Sequence, residues 1–359
     1  MFGLLGLWLS DKTNWKNLRQ IWQQPRTKVV VILFCLIGLR QWFTPLPLIG
    51  MWQWFSIASV GLLVLFLANY RTLLRAPIIS AAIALTVAFQ STVGIAQFQL
   101  QHELVGYSLL GEPELSNYIG LARVTISGAD RVLPYGTTAH PNVLAGFLAV
   151  YCLLLLTRWK SFFRMKRVLF GLALVLGAAT LVLTTSVSGM ATFVLGLLVQ
   201  KVLPRFSSLR PWYISLGVCL TVILIPLGMQ FMAQKYPNAP SLTRRTYLQI
   251  AGMRMFAHQP LWGTGLQTTT RFIEWYSPAR EVVRFSQPPH HVGIAVLAET
   301  GVLGLVLLVL LITKKQLQPG LLMLIPVLSL DHYALTLVPG MLLVGLCILF
   351  VCYDSFNSD

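Results

Sequence analysis

Long apolar segments constrain this chain more than any other feature. A helix that crosses the hydrocarbon core of a bilayer needs about 20 mostly apolar residues, and about ten segments approach that length. Hydrophobic residues make up 56% of the chain and charged residues 11%, outside the range of soluble domains. The sequence therefore predicts an all-α integral membrane protein with about ten transmembrane helices. The predicted spans are residues 29–45, 51–69, 76–98, 139–157, 168–186, 188–203, 212–233, 291–312, 317–331 and 336–352.

The distribution of basic residues orients the predicted spans. Lys and Arg accumulate in the cytoplasmic connections of multi-pass proteins, and both the N-terminal segment 1–28 and the connection 158–167 contain five of them. Placing these segments inside makes both termini cytoplasmic, with 353–359 as a C-terminal tail. The formal net charge of +16 is thereby explained by topology and not by nucleic-acid binding. The opening residues are predicted to form an interfacial helix.

Two long hydrophilic stretches then lie on the outer, periplasmic side. The first, 99–138, separates the three spans of 29–98 from spans four to seven in 139–233. The second, 234–290, precedes the last three spans in 291–352. Both are too polar to span and too long to be simple connectors, so function is expected there.

The second loop is rich in arginine where positive charge is normally scarce. It has seven basic residues against two acidic ones, a net charge of +5. Six of the seven are Arg, whose planar fork of donors binds phosphate or carboxylate bidentately. The pattern favours an anionic ligand, and a solvated basic face is the alternative. The basic residues are Lys235, Arg244, Arg245, Arg254, Arg271, Arg280 and Arg284.

An amphipathic helix is predicted in this loop. Leu248, Ala251, Met255 and Phe256 recur at helical spacing, and Pro260 and Gly263 are expected to end the helix. The helix is expected to lie on the membrane surface. Arg245 and Arg254 are nine residues apart and point to roughly opposite sides at about 100° per residue, so one face alone cannot use both.

Two histidines close the loop at the predicted membrane boundary. For His290 the alternatives are a base or hydrogen-bonding group, an interfacial residue, or a metal ligand. Metal binding is disfavoured because no HxxxH or DxD pattern is present. Glu299 lies about 14 Å deeper along a helix, where a carboxylate needs a partner or a cavity. If His290 is helical, Glu299 faces the other way, so a direct relay between them is not expected.

Three stretches resemble the bacterial O-antigen ligase and polymerase family of membrane glycosyltransferases. The first is an Arg, an amphipathic helix and a Pro-x-x-Gly-x-Gly turn, found at Arg245 and Pro260 to Gly265, with Gln249 where the family has tryptophan. The second is the family's His-Asn followed by Glu-x-Gly, found as His290, His291 and 299–301. The third is GTTAHPNVLAGFLA at 136–149. Asp331, His332 and Tyr333 also resemble a family cluster.

The resemblance implies a GT-C-like fold and a specific reaction. An undecaprenyl-diphosphate-linked glycan would be the donor, and a glycan or lipid A core the acceptor, at the bacterial inner membrane, without metal or cofactor. Arg245 would hold the diphosphate, and His290 would accept the proton from the attacking hydroxyl or orient it. The other implied substrate-binding residues are Arg244, Arg254, Arg280, Arg284, His291, His140 and Asn142, and the implied supporting residues are Glu299, Asp331 and His332.

One departure from the family pattern concerns a second arginine. Family members often carry a Ser-Arg-(Ser or Gly) turn between two spans, and here Val187 occupies the Arg position between Ser186 and Ser188. Arg123, Arg131 or Arg244 would then supply the second contact, or the donor differs, or no glycan is transferred.

Several functions remain open from the sequence. Ligase, polymerase and protein glycosylation differ only in the acceptor. A multi-pass transporter of inorganic carbon is the main rival, although transport pathways usually need charges or broken helices near the midplane. A scaffold in the cell envelope leaves the arginine-rich loop unexplained.

Overall fold

The computed structural model describes most of the chain, in two compact units. The first unit draws on residues within 1–70, 208–321 and 328–349, and the second on residues within 71–207, 322–327 and 350–359. The described residues are 10, 15, 19–20, 22–70, 77–116, 120–159, 164–202, 211–236, 240–279, 287–312 and 318–354.

Helices dominate the described residues, and each of the ten predicted spans coincides with a helix. Their helical conformation is as expected. Lipid offers the backbone N–H and C=O groups no hydrogen-bonding partner, and a helix pairs these groups with each other. The helices are α1 Pro25–Gln41, α2 Pro47–Asn69, α3 Pro77–Leu100, α4 Tyr107–Leu110, α5 Pro141–Thr157, α6 Arg164–Leu183, α7 Val187–Val202, α8 Pro211–Lys235, α9 Pro240–His258, α10 Thr269–Tyr276, α11 Val292–Ile312, α12 Gln318–Leu330, α13 Tyr333–Thr336 and α14 Val338–Asp354.

Three of these helices are long and apolar enough to cross a membrane, judged on the part of the chain that the structure describes. They are α2, α3 and α11, the last over Val292–Leu311. Parts of α5, α6, α7 and α14 form shorter apolar helices. The chain is therefore a helical membrane protein, and the number of ten crossings and their orientation remain predictions.

The second unit packs α3, α5, α6 and α7 through small and branched side chains. Val87 of α3, Leu148 and Cys152 of α5, and Ala173 of α6 belong to one buried cluster. A Cβ added at Gly177 would lie 2.6 Å from the Cys152 sulfur, so these helices approach closely. Close approach at small residues is the usual basis of helix packing in membranes.

The first long loop contains a β-hairpin that the all-α prediction did not include. Strands β1 Arg123–Ile126 and β2 Ala129–Val132 pair antiparallel. Ser127 and Gly128 between them both have positive φ, as a two-residue hairpin turn requires. Three consecutive β-branched residues in β1 favour the extended conformation.

Glu112 holds the segment between α3 and the hairpin in place. Its two carboxylate oxygens accept the backbone N–H groups of Leu104, Val105 and Gly106 at 2.8–3.1 Å and the Gln97 side-chain amide at 2.8 Å. Burial alone raises the pKa of Glu112, but these hydrogen bonds outweigh it and hold the pKa below its ordinary value. The ionised carboxylate therefore organises this loop.

We predict that this loop opens in acid. Because the folded-state pKa of Glu112 is depressed, its stabilisation is complete above about pH 4.3, the ordinary glutamate value, and is lost as pH falls through the folded-state pKa. Hydrogen exchange at Leu104 to Gly106 should accelerate over that range. At neutral pH, Glu112→Gln should produce the same acceleration and Glu114→Gln, which changes an exposed neighbour, should not. Unchanged protection in Glu112→Gln would contradict this.

In the first unit, the amphipathic helix α9 buries its apolar face against protein. Leu248, Ala251 and Met255 are fully buried in a cluster with Ile273 of α10 and Ala298 of α11. The predicted helix, its apolar stripe and its end before Pro260 are confirmed. Helices α10 and α11 cover this stripe, and the location of α9 on the membrane surface stays a prediction.

Candidate functional site

The site in the first unit is built around the turn that follows α9. The helix ends at His258, and Gly263 and Gly265 both have positive φ, at +65° and +113°. Glycine adopts this conformation without the penalty that a Cβ would impose. The Pro-x-x-Gly-x-Gly motif is therefore a tight reversal that leads into α10.

Helix α11 is broken at the Glu-x-Gly motif, within a segment that the sequence predicts to be one continuous span. Gly301 has φ +63° and ψ −154°. The carbonyl oxygens of Ala298 and Glu299 accept the N–H groups of Thr264 and Gly265, both at 2.9 Å. On the other side of the break, Val302 N–H donates to the Pro260 carbonyl at 2.8 Å. The turn thus satisfies backbone groups that a helix break in lipid would otherwise expose.

The two motifs meet backbone to backbone. A Cβ added at Gly263 would lie less than 3.0 Å from backbone atoms of Glu299 and Thr300. A Cβ added at Gly301 would lie equally close to the backbone of Leu261 and Pro260. The Pro-x-x-Gly-x-Gly turn and the Glu-x-Gly break are therefore one interlocked element, which we call the turn–break junction (260–269 with 298–302).

Glu299 supports this junction from inside. It is buried, and its Oε1 accepts a 2.6 Å hydrogen bond from the Thr269 hydroxyl at the start of α10. The backbone of Gln267 and Thr269 also hydrogen-bonds its carboxylate. The prediction that Glu299 needs a partner is confirmed. Its partners belong to the turn, and His290 lies in the bend before α11, not in the helix on which the argument against a direct relay depends.

Glutamine side chains connect the junction to other helices of the same unit, and sequence reasoning missed them. Gln41 of α1 accepts Leu266 N–H at 2.9 Å. Gln267 donates to the Gln53 side chain of α2 at 3.0 Å and to the Thr336 carbonyl at 2.8 Å. The available signal was a polar amide inside each of two apolar helices, since such residues are costly in lipid unless paired.

His290 lies against a second histidine. The ring centroids of His290 and His332 are 5.1 Å apart and the rings are nearly perpendicular, at 86°. His332 Nδ1 is 2.9 Å from the Thr336 hydroxyl, which itself donates to the His332 carbonyl at 3.2 Å. The tautomer of the imidazole decides which group of the His332–Thr336 pair is the donor. The His332 ring is thereby oriented, and it supports the ring of His290.

The neighbouring predicted site residues have different surroundings. His291 is buried, and its Nδ1 accepts Ile294 N–H at 3.3 Å, which caps the N-terminus of α11. This hydrogen bond uses only Nδ1, and the role of His291 in substrate binding stays a prediction. Asp331 is buried beside Tyr333, and the two interact electrostatically. Burial, with the Asp331 charge, raises the pKa of Tyr333 well above its ordinary value.

The arginines of the second loop are divided between two sides of α9. Arg244 and Arg245 lie half-buried in its first turns, and burial lowers the pKa of Arg244. Arg254 is exposed and donates to the Tyr276 carbonyl at 3.2 Å, as the predicted opposite orientation requires. Arg280 and Arg284 lie outside the described residues.

Arg245 lies on the side of α9 that faces the segment carrying His290. Seven residues turn a helix through about 700°, so Gly252 and Arg245 share a face about 10 Å apart along the axis. A Cβ added at Gly252 would lie 2.8 Å from Pro289, the residue before His290. On the same face, the buried Gln249 donates to the Met229 sulfur of α8 at 3.5 Å.

The second unit contains the remaining predicted site residues. His140 N-caps α5, with its Nδ1 accepting Asn142 N–H at 3.1 Å. Val187, in the place of the family arginine, is the first residue of α7 and is 67% exposed. The flanking Ser186 and Ser188 hydroxyls lie 3.1 Å apart. Within the described ranges, no group of three or more His, Cys, Asp or Glu side chains is arranged to hold a metal ion.

Replacement of Thr269 tests whether its hydrogen bond to Glu299 stabilises the turn–break junction. We expect Thr269→Val to lower the free energy of unfolding by about 1–3 kcal/mol, because buried Glu299 loses a hydrogen-bond donor while side-chain volume is kept. Thermal unfolding in detergent measures the effect. Thr270→Val is the matched control, since that hydroxyl has only a 3.4 Å contact with the Gln267 carbonyl. Equal stability of the two variants would contradict the assigned role.

Comparison with known proteins gives one match. Residues 172–309 match the family model described as O-antigen ligase, Wzy_C. This range runs from within α6 to near the end of α11 and so includes the turn–break junction, the start of α9 and His290. A search of curated proteins returned no match.

Proposed function

We propose that this chain, which belongs to the O-antigen ligase family through residues 172–309, transfers an undecaprenyl-diphosphate-linked oligosaccharide to an acceptor hydroxyl at the outer face of the cytoplasmic membrane. Membership makes the chain an O-antigen ligase or polymerase type of membrane enzyme. The observation that supports the reaction is the pairing of His290 with His332, next to a helix whose facing side carries Arg245.

The first turns of α9 suit a diphosphate. Two arginines follow Pro240 at positions 244 and 245, and the N-terminus of a helix adds the positive end of its dipole. Arg245 is proposed to bind the donor diphosphate. Arg244 is proposed to supply the second contact that the family arginine at the Val187 position would make, since it is already partly desolvated and charge-assisted bonds are stronger there.

His290 is proposed to act on the acceptor. The acceptor oxygen attacks the anomeric carbon and forms the new glycosidic bond, while its proton passes to the imidazole. The bond between the anomeric carbon and the diphosphate oxygen breaks, and the polyprenyl diphosphate leaves with the electron pair. The arginines stabilise the charge that develops on this leaving group. No step in this sequence uses a metal ion.

The break in α11 bears on the rival transport function. Transporters use broken helices whose free backbone groups bind the substrate near the midplane. Here the carbonyl groups of Ala298 and Glu299 are occupied by the N–H groups of Thr264 and Gly265. The protein's own chain fills the break, which supports a structural role for the break. This observation favours chemistry on a lipid-linked substrate at the membrane surface over transport.

A transfer assay on the purified protein tests the proposal. The protein in lipid nanodiscs is given a lipid-diphosphate-linked oligosaccharide and a hydroxyl acceptor, with and without a chelator. We expect transfer in both conditions. We expect Arg245→Ala to lower kcat/KM for the donor by about 10- to 100-fold, because a charge-assisted bond of roughly 1.5–3 kcal/mol is lost.

The matched control is Arg271→Ala, which removes the same charge from an exposed position in the same loop and should keep wild-type kcat/KM. Loss of transfer on chelation would contradict the metal-independent mechanism. Absence of transfer by the wild type, together with uptake of labelled bicarbonate into vesicles that survives His290→Ala, would establish transport instead.

A further inference from the structure

The lipid-facing side of α3 ends at an apolar loop. Ile78, Leu85, Phe89 and Leu100 are all exposed, and their spacings of seven, four and eleven residues keep them within about 60° on one helical face. Because α3 is long and apolar enough to span a membrane, this exposed face is the one that contacts lipid. Its last member, Leu100, is also the last residue of α3.

After Gln101, His102 and Glu103, the chain beyond the end of the helix is apolar again. From residue 104 to 111 the sequence is LVGYSLLG, without a charged residue. Val105 is 50% exposed, Tyr107 80% and Leu109 75%. Exposure of this size is unusual for adjacent large apolar side chains in water. Tyr is also typical of the membrane–water boundary, where its ring and hydroxyl meet apolar and polar surroundings.

The backbone of this loop is prepared for an apolar environment. Irregular backbone avoids lipid because its unpaired N–H groups are costly there. In this loop Glu112 accepts the N–H groups of Leu104, Val105 and Gly106, and Gly111 N–H donates to the Tyr107 carbonyl at 2.9 Å. The carboxylate itself is buried. The loop therefore presents apolar side chains outward, while its N–H groups at 104–106 and 111 are paired.

We propose that residues 104–110 form a membrane-inserted loop in which the exposed side chains of Leu104, Val105, Tyr107 and Leu109 enter the headgroup and acyl boundary of the leaflet in which α3 ends. The partner is the lipid surface, because this exposed apolar loop closely follows α3, whose exposed face is apolar along its length. Insertion reaches about 5–10 Å, the depth typical of interfacial apolar segments. The loop anchors the second unit at the bilayer surface, independently of the reaction that the chain catalyses.

Site-specific photo-cross-linking tests this. Tyr107 is replaced by the photoreactive p-benzoylphenylalanine in the full-length protein, in nanodiscs of phosphatidylethanolamine and phosphatidylglycerol without glycolipid. Mass spectrometry then quantifies lipid adducts on this residue. The matched control carries the same residue at Ile126, which is also exposed but lies in the hairpin between charged Arg123, Asp130 and Arg131. We expect at least about tenfold more lipid adduct at position 107.

A second variant tests whether the lipid adduct depends on the apolar side chains of this loop. Adding Leu109→Glu to the position 107 probe should reduce the lipid adduct severalfold, because a carboxylate at the boundary resists insertion, while unchanged thermal unfolding shows that the fold is kept. Equal adduct at positions 107 and 126 overturns the proposal. So does an adduct at 107 that joins this residue mainly to protein, since the loop then docks on a chain and not on lipid.

Discussion

Replacement of His290 by alanine is expected to lower kcat for glycan transfer by about 10²- to 10⁴-fold, the usual contribution of a positioned general base. The half-buried ring lies against His332, and His332 is oriented by Thr336. Alanine removes the proton acceptor and leaves the supporting residues in place. Donor KM should change little, because the proposed diphosphate contacts are on α9. Single-turnover transfer in nanodiscs measures the effect.

His258→Ala is the matched control for this prediction. His258 belongs to the same loop, at the end of α9, and its ring packs edge-on against Tyr276 at 5.8 Å. Its removal should leave kcat near the wild-type value. A His290→Ala protein that transfers glycan at the wild-type rate would remove the assignment of His290, and a loss shared equally with His258→Ala would point to general destabilisation of the loop.

Gly263→Ala is expected to lower the free energy of unfolding by about 3–5 kcal/mol. An alanine at φ +65° is destabilised by about 1–2 kcal/mol through its own backbone. The added Cβ also meets the backbone of Glu299 and Thr300 at less than 3.0 Å, which forces the turn and α11 apart at a further cost of about 1–3 kcal/mol. Transfer should be lost as well, because the junction connects α9 to α11. Thermal unfolding and the transfer assay measure both effects.

Gly111→Ala separates the cost of the backbone conformation from the cost of the steric contact. Gly111 has φ +70°, close to that of Gly263, but a Cβ there meets nothing within 4 Å. Its substitution should therefore destabilise by about 1–2 kcal/mol only and preserve transfer. If the two variants unfold at the same temperature, the backbone contact between the turn and α11 does not carry the stability assigned to it.

The helical segments and the course of α9 were predictable from the sequence for a physical reason. In lipid the backbone satisfies its hydrogen bonds within a helix, so about 20 apolar residues predict one conformation. The stripe of Leu248, Ala251 and Met255, all fully buried, follows from the 3.6-residue period. What that stripe packs against was not predictable, because periodicity identifies an apolar face but not the surface that covers it.

The glutamine network and the histidine pair show the opposite case. Gln53 and Gln267 are 214 positions apart, and His290 and His332 precede two different helices, α11 and α13. No local pattern relates such residues. Their approach depends on how α2, the turn after α9 and α13 pack within the unit. The hairpin of the first loop was missed for a different reason, since its four-residue strands are too short to stand out in a chain dominated by apolar helices.

By itself, the sequence determined that this chain is a helical membrane protein, where its helices lie, and that arginines and histidines gather in the loop before α11. Only the tertiary structure decided that the Pro-x-x-Gly-x-Gly turn fills a break at Gly301, that Glu299 binds Thr269 and that His290 rests on His332. The reason is that the conformation of an apolar helix is set by neighbours along the chain and by lipid. Contacts between distant segments are set instead by packing and by the need to pair each backbone group that a break in a helix exposes.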